Sequence, residues 1–275
     1  QNMGNGDWKI TVNTATFDLS NIKLIPPENF SGTVDLTVTA YTKETLATLP
    51  QDAGTHAFSV EVAPVSDMVD LIGSGPSSTL TGIENGEITI ALNVQTRDNT
   101  NSYNDSSPSV TENAPEHLLI TVHGVPVGST IELPPGVNGQ YLSAQSNPAL
   151  GIWVFEVNQT NLSDIVFLPN DNNGNISLSI DVQSVDNGAT PGPIKTIPVD
   201  IDVTPVNDAP VDEGETNTVI EDTILTTGGL LDNASDVDGD TLTISSYTIA
   251  GIAGTYAAGV STLIAGVGTI TINAD

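Results

Sequence analysis

The sequence predicts an all-β protein made of tandem β-sandwich modules in a linear array. Three observations carry this expectation: apolar and polar residues alternate in short runs, turn residues punctuate the runs, and one segment recurs at long range. Val60-Glu61-Val62-Ala63-Pro64-Val65-Ser66-Asp67 returns as Ile201-Asp202-Val203-Thr204-Pro205-Val206-Asn207-Asp208, 141 residues downstream. Each copy is an alternating strand that runs into a proline-stiffened acidic linker. A period this long suits separate globular modules rather than the stacked units of a solenoid.

The repeat extends upstream of the linkers. Asp18-Leu19-Ser20-Asn21-Ile22 matches Asn161-Leu162-Ser163-Asp164-Ile165, and Gly32-Thr33-Val34-Asp35-Leu36-Thr37-Val38 matches Gly174-Asn175-Ile176-Ser177-Leu178-Ser179-Ile180. Trp8 matches Trp153. Residues 1–66 therefore read as the C-terminal part of one module, 67–207 as a complete module and 208–275 as the N-terminal part of a third. A complete module of that length can bury a self-sufficient core. The two partial modules leave apolar faces uncovered unless they pair with a neighbouring copy or the boundaries differ. With no initiator Met and no signal peptide, the chain reads as excised from a longer polypeptide.

Strand patterns follow one another along the chain. Val34, Leu36, Val38 and Ala40 share one face of an alternating run. Ile88-Thr89-Ile90-Ala91-Leu92-Asn93-Val94, Leu118-Leu119-Ile120-Thr121-Val122, residues 176–182 and Leu242-Thr243-Ile244 behave alike. Breakers such as Pro26-Pro27, Pro134-Pro135-Gly136, Asn172-Asn173-Gly174 and Pro191-Gly192-Pro193 separate them. No stretch keeps an amphipathic helical period for three turns, and one short turn over 161–165 is the only helix expected. Residues 97–115, rich in Asn, Asp, Ser and Thr with Pro108 and Pro115, are expected as a surface excursion.

Composition narrows the function. Five Lys plus Arg stand against 34 Asp plus Glu, a formal net charge of −29. Nucleic acids and anionic membranes demand basic patches, so neither is expected as a partner. The chain instead repels itself unless cations screen or bind it. No cysteine is present, which excludes disulfides and thiolate metal sites, and no apolar run approaches the roughly 20 residues that span a bilayer. Catalysis is not expected: His56, His117 and His123 are the only histidines and lack zinc-ligand spacing, and no Gly-x-Ser-x-Gly occurs. Trp8 and Trp153, at matching repeat positions within strands, are expected as core anchors.

Asp236-Val237-Asp238-Gly239-Asp240 is the densest set of oxygen donors. Calcium takes six to eight oxygens, and alternating carboxylates on a turn that a Gly permits supply several from one segment. The start looks like an EF-hand loop, but its twelfth position is Tyr247 where that loop needs a bidentate Glu, so an EF-hand is rejected.

The order of motifs resembles the repeat (extender) modules of large bacterial RTX-type and biofilm-associated adhesins. Gly124-Val125-Pro126-Val127-Gly128-Ser129-Thr130, Gly151-Ile152-Trp153, Leu162-Ser163-Asp164-Ile165-Val166-Phe167-Leu168-Pro169 and Pro205-Val206-Asn207-Asp208 stand in that family's order. Gly6-Asp7-Trp8 and residues 19–26 supply the same motifs in the first partial module. The third, from Glu221-Asp222-Thr223 through Asp240-Thr241-Leu242-Thr243, looks like a cadherin-like or VCBS-type repeat. In place of that family's compact acidic turn the middle module has residues 97–115, and Asp98 and Glu116 are expected as the surviving ends of that turn.

The resemblance implies Ig-like or cadherin-like sandwiches with calcium at their junctions. By that analogy the ligands at the second junction are Asn207, Asp208, Glu221, Asp222, Asp236 and Asp238, with Asp240 beside them and Asp186 and Asp202 contributed by the preceding module. Asp67, Asp98 and Glu116 mark the first junction. It further implies a structural spacer of a secreted or bacterial cell-surface adhesin that supports cell adhesion and biofilm formation, stiffened by Ca2+, with neighbouring modules of the same polypeptide as partners. Two alternatives remain open at this point. One is a module that recognises a glycan or surface protein through loops 97–115 and 134–147. The other is a self-associating surface-layer or filament subunit.

Overall fold

The computed structural model describes residues 2–4, 7–8, 23–26, 30–42, 51–73, 75–76, 79–97, 110–112, 116–186, 189–226 and 228–274. Their regular structure is all-β, with one 3-10 turn at Pro148–Leu150. In the N-terminal part β1 (Asn2–Gly4) pairs with β2 (Asp7–Trp8), and β3 (Gly32–Thr42) forms a long hairpin with β4 (Gln51–Val62).

The middle part begins with β5 (Asp70–Leu71), β6 (Thr79–Ile83), β7 (Ile88–Gln95), β8 (Val110–Glu112), β9 (His117–His123) and β10 (Thr130–Glu132). It continues with β11 (Gly139–Tyr141), β12 (Trp153–Val157), β13 (Asn161–Leu168), β14 (Gly174–Val185) and β15 (Lys195–Thr204). One sheet has the order β11-β12-β9-β14-β15-β6 and the other β10-β13-β7-β5. The two form a sandwich because alternation gives each strand one apolar face, and two such faces exclude water only against each other. Ile90, Leu92 and Val94 of β7 join Ile120 and Val122 of β9, Ile180 and Val182 of β14, and Val203 of β15 in one core, each fully buried. Trp153 packs against this core beside Tyr141 and Phe155. His117 and His123 pair across strands with Glu156 (3.1 Å) and Asp181 (3.3 Å).

The short helix expected over 161–165 is strand instead. These residues belong to β13, which pairs with β7, and a bulge falls between Leu162 and Asp164. The extra residue is on β7, where Leu92 and Asn93 (φ 49°) both lie opposite Ser163. Leu162 and Ile165 therefore pair with Val94 and Ile90 and both face the core, at 3% and 0% exposure, although three positions apart.

Two motifs interlock at one end. Ser129 Oγ donates to Pro169 O (2.8 Å), and Asn172 Nδ2 donates to Val127 O and to Ser129 Oγ, each at 3.0 Å. Of segment 97–115, Arg97 forms a two-nitrogen ion pair with Asp70 (3.1 and 3.2 Å), and β8 pairs with β3 of the N-terminal hairpin. Asp98 lies outside the described residues. The C-terminal part holds two hairpins, β16 (Ser246–Ile249) with β17 (Ile252–Ala257) and β18 (Thr262–Ile264) with β19 (Gly268–Ile270).

Phe167 is completely buried in the sandwich core. Phe167→Ala should therefore destabilise the chain by about 3–5 kcal/mol, read as a shift in the urea unfolding midpoint.

Candidate metal centre

The site grows out of one pairing. β15 runs parallel to β6 with Thr204 opposite Ile83, so the chain leaving the last strand passes the tip of the turn that carries β6 over into β7. That tip is Glu84-Asn85-Gly86. Gly86 N–H donates to Ile83 O (3.2 Å), and Asn85 takes φ 58°, a conformation Asn tolerates better than most residues. Glu84 N–H donates to Thr204 O (3.0 Å) and Asn85 N–H to Asn170 O (2.8 Å) in the β13–β14 turn. Three chain segments thus meet at this end.

The Glu84 side chain lies in the middle of them and is 1% exposed. A carboxylate so buried persists only when its oxygens are hydrogen-bonded. One oxygen accepts the Val206 N–H and the other accepts Asn173 Nδ2 at 2.8 Å. Glu84 thereby holds the linker backbone directly to the sandwich.

Asp208 comes two residues later. Its N–H donates to Asp238 Oδ2 (2.8 Å), and its Oδ2 accepts Asn85 Nδ2 (3.4 Å). Asp238 is presented by a turn that Asp236 builds: Asp236 Oδ1 accepts the N–H groups of Asp238 (2.9 Å) and Asp240 (3.3 Å), and Gly239 takes φ 76°. One carboxylate oxygen each from Glu84, Asp208 and Asp238 lies within 4.8 Å of the other two. The Asp208 carboxyl is raised above its ordinary 3.8, first by partial burial, then by the negative charges of Asp238, Asp171 and Glu84, against a lowering hydrogen bond from Asn85. The donor set is carboxylate oxygen with no sulfur or imidazole, which fits a hard cation such as Ca2+.

Among the residues singled out from sequence, Asp208 and Asp238 come together, Asp236 shapes their turn, and Asn207 Nδ2 donates to Asp208 O (2.9 Å). Asp240 joins through its backbone and its side chain is exposed. Glu221 and Asp222 lie in an exposed turn outside this group. Asp202 sits on the outer face of β15, opposite Asn175. Asp186 follows the far end of β14, where its N–H donates to Ser66 Oγ (2.9 Å). It therefore faces the first linker, the length of the sandwich away from Asp208. There Asp67 N–H donates to Glu116 Oε1 (2.6 Å), its carbonyl accepts Ser184 Oγ, and Glu116 and Asp186 are buried.

Glu84 was missed from sequence, as were Asn85, Asp171 and Asn173. Local pattern marks Asn85-Gly86 and Asn173-Gly174 as turns. Only the parallel pairing of β6 with β15, two strands far apart in the chain, puts them beside the linker.

Residues 206–275 match the cadherin-like domain family. That range starts at Val206, the residue Glu84 holds, and contains Asp208 and Asp238. No curated protein matches the chain.

Two outcomes follow from this geometry. Glu84→Gln replaces one acceptor with an NH2 group that faces another donor, so it should loosen the linker by roughly 1.5–3 kcal/mol, seen as faster hydrogen exchange at Val206. In metal-free buffer Asp208 should titrate above 3.8 by NMR. Because its folded pKa is raised, its contribution is fully present below 3.8 and is lost as pH rises through the folded value, so Asp208→Asn should reduce that loss.

Proposed function

We propose that this chain is a spacer segment of a secreted or cell-surface bacterial adhesin of the RTX or biofilm-associated kind, without catalytic activity, whose module junctions are stiffened by calcium. Residues 67–207 form one complete module, with parts of neighbouring modules at 1–66 and 208–275. The observation that carries the reading is the Glu84–Asp208–Asp238 group, which spans the linker from a sandwich to a cadherin-like segment. Its chemistry supports it: three carboxylates this close repel one another, and a bound cation removes that repulsion.

Glu84, Asp208 and Asp238 supply the carboxylate oxygens, and Asp171 adds negative charge nearby. Bound Ca2+ draws two groups of the cadherin-like segment toward a buried group of the sandwich, so the linker loses its freedom to bend. A series of such junctions projects a distal end away from a cell, and the net charge of −29 keeps the rods soluble and apart.

Calorimetric titration with CaCl2, alongside thermal melts in calcium and in chelator, tests this. Saturable binding is expected, with a stabilisation near 2.7 kcal/mol at about 100 times Kd. Asp208→Asn and Asp238→Asn should each weaken binding at least tenfold, an effect of about 1.4 kcal/mol or more. Identical melts and no saturable heat would contradict the calcium clamp.

A further inference from the structure

The N-terminal hairpin is a second copy of the hairpin that closes the middle sandwich. Gly32 stands opposite Val62 in the first and Gly174 opposite Val203 in the second, so the two share one register. In the second copy Ile180 and Val199 are 0% and 1% exposed, because β7 and β13 cover them. Their counterparts in the first copy, Val38 and Phe58, are 50% and 49% exposed. Val34, Leu36 and Val60 lie on the same face as these two.

The edges differ in the same way. The outer edge of β15 carries β6 in parallel, from Thr79 opposite Asp200 to Ile83 opposite Thr204. The corresponding stretch is residues 59–62 of β4 with Ala63 after it, and among the described residues no strand pairs with that edge. An open strand edge beside an apolar face that, among the described residues, is half exposed at Val38 and Phe58 is a template for strand addition.

The repeat also says what kind of segment fits. In the middle sandwich the edge is filled by β6, and the face by residues that include Ile88, Ile90 and Leu92 of β7, the two strands joined by the Glu84-Asn85-Gly86 turn. We propose that the β3–β4 hairpin is a docking site for a strand–turn–strand segment with the pattern of residues 79–95, whose two strands enter different sheets. The first strand of that segment adds in parallel beside residues 59–62 of β4 and Ala63, and the apolar side of its second strand covers Val38 and Phe58. Backbone hydrogen bonds along the edge supply affinity, and the alternation of the second strand supplies selectivity.

The test uses the full chain and a synthetic peptide of residues 79–95. One-to-one saturable binding is expected, with slowed hydrogen exchange over residues 58–62 and unchanged exchange in β15. Phe58→Asp in the chain should weaken binding at least tenfold. Ile90→Asp in the peptide should do the same while leaving the chain untouched, so a folding defect cannot imitate the result. Absence of binding would overturn the proposal. So would protection appearing at β15, which means the peptide has invaded the intact sandwich. Concentration-dependent self-association that the peptide does not compete with would also overturn it, assigning the face to a second copy of the chain.

Discussion

The structure at the second junction depends on the parallel pairing of β6 with β15. The edge strand β6 and the last strand β15 lie side by side and point the same way, so the exit of the chain is fixed beside the turn that follows β6. Everything at the junction follows from that neighbourhood. Glu84 is buried because the linker covers it, and the linker is held because buried Glu84 must have its oxygens satisfied. Asp208 then arrives within reach of Asp238, and partial burial with three like charges raises its carboxyl.

The two ends of the sandwich solve one problem with different residues. At the exit, Glu84 accepts the N–H of Val206. At the entry, Glu116 accepts the N–H of Asp67, while Ser66 and Ser184 tie the same linker to the end of β14. Gly192 is part of this fit, since a Cβ there would sit 2.2 Å from the Asp67 carbonyl. Each linker is thus gripped by its backbone. Among the described residues, only the exit gathers three carboxylates within ligand distance of one another.

Strand identity was legible because alternation is a local signal: Ile88 to Val94, Leu118 to Val122 and the two long hairpins declare their buried faces in sequence. The repeat revealed that hairpins 32–62 and 174–204 share a design, and the structure gives them one register. The bulge opposite Ser163 was not legible, because the extra residue lies in the partner strand β7 and leaves β13 with a three-residue spacing that imitates a helix. Of the site, Asp208 and Asp238 stood out as acids in a linker and a Gly-containing turn. Asp186 and Glu84 did not declare their places, since which end of a long strand an acid occupies depends on topology. Glu84 was hidden most completely, being an ordinary turn acid until β15 lies beside it.

We propose that a cation held by Glu84, Asp208 and Asp238 makes this junction rigid. Because the chain has no cysteine, spin labels can be placed at Gln145→Cys in the sandwich and Thr255→Cys in the cadherin-like segment, both exposed positions. Pulsed electron–electron resonance then reads the distance between them in calcium and in chelator. The account predicts one narrow distance distribution in calcium that broadens in chelator and stays broad in Asp238→Asn under both conditions. Equal distributions in calcium and chelator for the unmutated site would contradict it.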